Sequence, residues 1–492
     1  MMMNRTKQIV LLSLILAFSS CENFLELIPP DGLVGDEYWK SKEDVKATLM
    51  GAYQKFASLD EQLFILGEVR GDMIIQDSRS SNNNIRNIMN GNIDPDNTYC
   101  RWTGYYAVIN FCNYVLKYAP MVRETDPTFT EYQMRGYESE ALFLRSLAYF
   151  YLVRTFLNVP LILEPSESDG VDFFQPASTE FTVLEQIKAD LQEARLFVTD
   201  SYPTPEENKG RATKAAINAL LADIYLWNFE YEECIAYVEA VEDEGFVPVT
   251  PAYWYDIFYP GNSLEGIFEF QFDQGLDQNN KTYNATFYLD HYKGSRKALD
   301  LLGSGDEAFQ AFEFIRGPGS LREEDQKIWK YCGSAGDSKS LRPGSESYSC
   351  NWIVYRMSDL ALMKAEALSQ IGRYEEALAI VNDLRLKRQV GSVSTGYNAI
   401  AFEDLIMEER MIELAFEGKR WFDMLRMGRR DNYRRKSDFI NLAIENVPAT
   451  QKLVLAAKLN NPWGWYLPVH FDELERNKNL EQNPYYEEFS TD

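Results

Sequence analysis

The stretch AEALSQIGRYEEALAIVNDL, residues 365–384, decides the fold class. Ala365 and Leu368 precede Gly372-Arg373-Tyr374, and Ala377, Leu378, Val381 and Leu384 then recur at helical spacing. A small residue, a turn and a second small residue let two antiparallel helices pack closely. Residues 222–241, ADIYLWNFEYEECIAYVEAV, repeat the arrangement with Ala222 and Tyr225, then Phe229-Glu230-Tyr231, then Cys234, Val238 and Val241. Two ordinary helical hairpins would show the same spacing, and a long stretch of chain separates the pairs. The expectation is therefore an irregular array of helix pairs rather than a tandem solenoid.

Both pairs match the tetratricopeptide pattern of about 34 residues. Working outward, helical periodicity covers Asp44–Phe56, Trp102–Tyr118, Tyr132–Phe156, Thr182–Val198, Lys214–Trp227, Met357–Lys387, Phe402–Arg429 and Asp438–Leu442. Residues 76–98 are polar, with little apolar periodicity, and read as a surface loop. From about 246 to 355 the chain is rich in Gly, Pro, Ser and aromatics, and only Gly266–Phe272 alternates like a strand. The sequence thus predicts a mainly all-α scaffold at about 36–245 and 356–460. A loop-rich insertion with short hairpins lies between its two parts, and an irregular tail occupies about 461–492. Long ordered insertions on a helical scaffold tend to carry function.

The N-terminus reads as an export signal over residues 1–20. Arg5 and Lys7 are followed by an apolar run from Ile9 to Phe18 and by Ser19-Ser20-Cys21. Ten apolar residues span about 15 Å as a helix, short of the roughly 20 residues needed to cross a bilayer. Cys21 resembles a lipobox cysteine, cut and lipid-modified, and residues 21–35, with Pro29-Pro30, form an extended tether. The formal charge of the 492 residues is -26, and removal of the signal makes the chain more acidic still. Nucleic acid is a poor partner for such a surface. After Cys21 the cysteines are odd in number and include no C-x-x-C, so no disulfide framework follows; Cys332 and Cys350, flanking a Gly/Ser-rich loop, are the pair best placed in sequence to bond. Only His291 and His470 exist, which argues against a His-based metal site, and no metal or cofactor is expected.

Catalytic signatures are equally scarce, for the chain has no Walker loop, dinucleotide glycine fingerprint, H-E-x-x-H or G-x-S-x-G. Paired carboxylates are the one enzymatic route left. Glu409, Glu413 and Glu417 fall at i, i+4 and i+8 on one helical face, where they repel unless neutralised. With Arg410, Arg420 and Asp423 they read as a structural charge network, Arg410, Arg420, Arg426, Arg145 and Arg154 being the available cations. The protein is therefore read as a binding protein, not an enzyme. Sugar rings need aromatic platforms flanked by amides, and two loops supply them. The first offers Asn82, Asn83, Asn84 and Tyr99; the second offers Tyr283, Asn284, Phe287 and Tyr288.

Several segments together resemble the RagB/SusD family of nutrient-binding outer-membrane lipoproteins. They are Ser20–Leu25, Glu138–Ile162, Gly210–Lys214 with Ala219–Ala222, Arg356–Arg385, the block from Glu408 through Arg426, Tyr466-Leu467-Pro468, and Asn479–Tyr485. Lys419 departs from the His often found at that position. The resemblance implies a single body over 36–492, an irregular superhelical scaffold of about four tetratricopeptide-like helix pairs. It also implies a surface-facing outer-membrane lipoprotein that captures a glycan and lids a SusC-like TonB-dependent transporter. Oligopeptide or other nutrient capture by the same lid, and more remotely a carboxylate glycoside hydrolase, are the alternatives. Replacing Cys21 by Ala is expected to move the protein from the membrane fraction to the soluble fraction with its circular dichroism unchanged; unaltered membrane retention contradicts the lipid anchor.

Overall fold

The structure, a computed structural model, describes residues 38–166, 174–289, 291–303, 316–334, 340–396 and 398–487. The export signal, Cys21 and the tether lie outside the described residues. Among the described residues four helix pairs make the scaffold: α1 (Lys42–Ala57) with α2 (Thr103–Thr125), α3 (Glu131–Phe156) with α4 (Glu180–Phe197), α5 (Lys214–Trp227) with α6 (Tyr231–Glu242), and α7 (Met357–Gln370) with α8 (Tyr374–Lys387). Each pair also packs on the next, α2 on α3, α4 on α5 and α6 on α7. One apolar core runs through all of them. Among the described residues no helix is long and apolar enough to cross a membrane.

The α3 helix shows why the sequence folds this way. Thr130 and Gln133 close a capping box at its start, and every residue from Glu138 to Phe156 is buried. A helix buried on all sides has to pair the charged groups it carries. Glu140 accepts from Arg211 and from the Tyr53 hydroxyl, Arg145 donates to Asp190 and Asn113, and Arg154 donates to Asp223. The helix stops at Leu157, whose φ of 70° leaves the helical region. In the α7–α8 pair the break falls at Gly372, where φ of 81° favours glycine.

The strand foreseen at 266–272 is Gly266–Phe270 (β1), paired antiparallel with Trp352–Arg356 (β2). Its alternation suggests one wet face, but all five residues are buried. Glu269, on the outward phase, is enclosed and accepts from the Asn262 backbone and the Asn351 amide. Cys332 and Cys350 are separate buried thiols.

The helix expected over 402–429 is two helices, α9 (Ala399–Glu413) and α10 (Arg420–Tyr433). Between them Phe416 and Gly418 have φ of 66° and 71°. The break is imposed from outside. The buried Glu68 carboxylate accepts the backbone N–H groups of Phe416 and Gly418, each at 3.1 Å. A Cβ on Gly67 would lie 1.8 Å from the Gly418 carbonyl oxygen, so only glycine fits there. Glu417 is thus not one helical turn beyond Glu413 on a continuous face, although the two still share a partner.

That partner is Arg356, and the cations that neutralise the Glu face are not the ones nearest in sequence. Glu413 is bonded by Arg356, Arg388 and Arg316; Glu417 by Arg356 and Lys330; Glu409 by Arg316 and Arg385. Successive helical residues point about 100° apart, so Arg410 faces away from Glu409 and binds Asp359 and Asp423 instead. Arg420 forks onto Asp72, and Arg426 onto Glu366. Arg145 and Arg154 serve Asp190 and Asp223. Burial would raise the Glu413 carboxyl, but Arg388, Arg356 and Arg316 hold it well below the usual range. Burial likewise opposes ionisation of Asp72 and Asp359, yet Arg420 with Lys297, and Lys419 with Arg410, bring each down to about 2.

Removing one member of a desolvated pair strands the other, so Glu417→Ala and Arg420→Ala are each expected to cost roughly 3–5 kcal/mol in chemical denaturation. A loss within error of zero in both contradicts the structural assignment. A second expectation concerns acid. Asp72 and Asp359 have depressed folded-state values, so their stabilisation is intact above the unfolded value of 3.8 and is lost as pH falls toward about 2. Thermal midpoints should drop over that interval, with a shallower drop in Asp72→Asn than in the parent.

Candidate functional site

Two segments that carry the predicted ligand residues meet at one edge of the scaffold. Strand Ile74–Gln76 pairs antiparallel with Tyr292–Gly294, register Ile74 to Gly294 and Gln76 to Tyr292. The ladder continues as Asp77 N–H donates to the His291 carbonyl, and Ser80 Oγ lies 3.2 Å from His291 Nδ1. From the other side Asp60 binds the start of Lys281–Tyr283, accepting from the Thr282 backbone at 2.7 Å and its hydroxyl at 3.1 Å. Lys281 Nζ donates to the Ser58 carbonyl. Burial raises Asp60 to about 6, against the opposing bonds from Thr282 and the charge of Lys281.

The polar stretch 76–98 is not an unstructured loop. Asn82 is the N-cap of a short helix, Asn83–Met89, its side chain accepting from Ile85 N–H, and Ile85 and Ile88 are buried beneath it. The other end of the Asn82 amide donates to the Tyr99 hydroxyl at 3.3 Å, and that hydroxyl donates to Glu61 Oε1 at 3.4 Å. Asn97 accepts from Tyr99 N–H and donates to the Asn84 carbonyl; Asn84 donates to Thr98; Asn83 accepts from Arg86. Gln62 donates to the carbonyls of Tyr99 and Arg101. Tyr99 is therefore fixed at both backbone and hydroxyl and stays partly exposed. Burial and the neighbouring Glu61 push its phenol up, and burial pushes Glu61 up in turn.

The second aromatic group behaves differently. Tyr283 is 2% exposed, stacked on Phe287 at 5.7 Å and edge-on to Tyr348 at 5.0 Å. Its loop contains a turn of helix, Lys281–Tyr283, continued by a wider π turn, Asn284–Tyr288, and the curled backbone directs the ring inward. An open stacking platform at Tyr283 is thus corrected to a core ring beneath the site. Phe287 is partly buried with Lys327 Nζ 4.4 Å from its ring centre, and Asn284 accepts from the Tyr348 hydroxyl. The side chain of Tyr288 lies outside the described residues. Trp254 and Trp329, further aromatics of the insertion, are fully buried.

Glu61, Gln62 and Lys281 join the site without having been anticipated. The signal for Glu61 and Gln62 was slight, since Asp60-Glu61-Gln62 reads only as an acidic helix start. Among the described residues no group of His, Cys, Asp or Glu is placed to hold a metal ion. The arrangement can present one partly exposed ring, held rigidly, with amides and a lysine around it.

Two family models match this chain: one described as starch-binding associating with outer membrane over residues 23–226, the other as the SusD family over 325–486. SusD-like protein P38 of Formosa agariphila is 27% identical over 487 residues, covering 86% of this chain and 92% of that protein. SusD-like protein P2 of the same organism is 25% identical, covering 85% and 90%. Among solved structures, a SusD superfamily protein from Bacteroides thetaiotaomicron superposes with a TM-score of 0.72 at 23% identity, covering 91% of this chain and 99% of that one. A laminarin-binding SusD-like protein gives 0.69 at 23% identity, covering 90% and 99%. At these identities the structural likeness shows the fold.

Proposed function

From the premise that this chain belongs to the SusD/RagB family, we propose that it is a lipid-anchored, surface-facing outer-membrane protein that binds a glycan and passes it to a SusC-like TonB-dependent transporter. The observation that carries the reading is the fixing of Tyr99 by the 76–99 segment and by Glu61 and Gln62, whose neighbour Asp60 binds Thr282. A partly exposed tyrosine fixed through Asn82, Glu61 and Asn97 is what C–H stacking by a sugar ring requires, and its loss of freedom on binding is small. The laminarin-binding relative supports a glycan as the ligand class. Glu409, Glu413 and Glu417 are buried and each bonded to cations, which supports capture rather than hydrolysis.

The test separates stacking from scaffold. Tyr99→Ala is expected to weaken a polysaccharide found by affinity electrophoresis by roughly 1–3 kcal/mol. Tyr99→Phe, which keeps the ring and loses the bonds to Asn82 and Glu61, is expected to lose much less. Thermal midpoints should show both variants folded. Parent-like affinity in Tyr99→Ala removes this ring from the site.

A further inference from the structure

We propose that a cleft between the first turns of α2 and the C-terminal tail is a second saccharide-binding position, continuing the Tyr99 surface around the 97–102 loop; it rests on the glycan reading above. The cleft has a volume of about 540 Å³ and is lined by Trp102, Tyr106, Asn110, Phe174, Glu473 and Arg476 among others. Small-molecule sites have volumes of this order. Its polar groups are those a ligand would use. Trp102 is 2% exposed and packs its ring on Tyr106 and Phe156, so it forms the floor of the cleft. Asn110 Oδ1 accepts from Ser166 N–H at 2.8 Å, which leaves its amide hydrogens to the cleft. The Tyr106 hydroxyl donates to the Pro160 carbonyl at 2.7 Å, so this residue contributes its ring. Phe174, half exposed, contributes another.

The charged residues lining the cleft suit a ligand of no net charge. Glu473 and Arg476 lie three residues apart on Phe471–Arg476 and cancel in net charge. A ligand here has to accept from an amide, donate to a carboxylate, accept from a guanidinium and lay C–H groups on two aromatic rings. A hydroxylated sugar ring does all of these. The position also adjoins Tyr99. Three residues of chain span at most about 11 Å, and Gln62 holds the Tyr99 and Arg101 carbonyls with one amide. Arg101 pairs with Asp472 at 2.7 Å and Phe471 N–H donates to the Pro95 carbonyl, which fixes the tail helix to this loop. One glycan chain can therefore cover both faces, and occupancy of two weak positions raises the affinity for polymer over single sugars.

The test uses the full chain carrying Tyr99→Ala, so that the outer ring is absent, with methyl glycosides of glucose, galactose, mannose, xylose and fucose as probes in saturation-transfer NMR. At least one glycoside is expected to bind. Asn110→Asp, which keeps the acceptor for Ser166, and Glu473→Gln are each expected to weaken it about tenfold. Absence of any glycoside signal, or a signal unchanged in both variants, overturns the cleft and leaves the Tyr99 reading standing if the parent still needs Tyr99 for polysaccharide. Parent-like polysaccharide binding by Tyr99→Ala, lost on adding Glu473→Gln, sinks the Tyr99 reading and keeps the cleft. A dipeptide such as glycyl-leucine that saturates the cleft where no glycoside does overturns the proposal in favour of a zwitterionic ligand.

Discussion

Neutralisation of Glu413 is the constraint on which the rest of the structure depends. Its carboxylate is wholly buried at the end of α9, where an unpaired charge would be prohibitively unfavourable. Relief comes from Arg356 at the end of β2, Arg388 just past α8, and Arg316 in the insertion. Glu265, one residue before β1, balances Arg356 and Arg388, and Glu417 brings in Lys330. Apolar packing tolerates small slides between elements, but a buried ion cluster does not, because each displaced charge loses its partners while staying out of water. The cluster therefore sets how the insertion sits on the scaffold.

A second set of polar ties carries that placement to the edge that holds Tyr99. After α9 the backbone turns under Glu68, and the contact between Gly67 and Gly418 brings the two chains to van der Waals distance. Arg420 then grips Asp72, which also receives Lys297 and, at its carbonyl, the Ser295 hydroxyl and the Asn446 amide. Two residues later the chain enters the ladder with Tyr292–Gly294. Asp72 is thus the point where scaffold geometry becomes site geometry. The position of Tyr99 thus traces back to a carboxylate that is itself wholly buried.

The parts of this arrangement visible in sequence are the local ones. Helix pairs announce themselves because a period of 3.6 and a turn at Gly372 are written within twenty or so residues. The Asn-rich segment was harder, since Ile85 and Ile88 alone are too few to show periodicity, and Asn82 looks the same whether it caps a helix or meets a sugar. Tyr283 was misjudged for a non-local reason: Tyr348, which covers its edge, comes from a distant segment. Arg356, Arg388 and Arg316 could not be assigned to Glu413 from spacing either. Sequence distance carries no information about which cation a buried carboxylate meets, whereas Arg410, its sequence neighbour, was the natural and wrong choice.

The fate of the amides sharpens what the Tyr99 surface can recognise. Asn82, Asn83 and Asn84 were expected as partners for hydroxyls, yet with Asn97 they are engaged within the segment, on Tyr99, Thr98, Arg86 and one another. Each such bond made internally is one withdrawn from the ligand, so directional hydrogen bonding is thin where the ring is. If Tyr99 is the proposed sugar platform, recognition there would rest on the ring face and the shape around it, which would suit many sugars and distinguish few. Discrimination between hydroxyl configurations requires donors and acceptors with free valence, and in the proposed cleft on the far side of the same loop Asn110, Glu473 and Arg476 would supply them. On the two proposed positions, this distribution of committed and uncommitted polar groups favours a ring that grips and a cleft that reads.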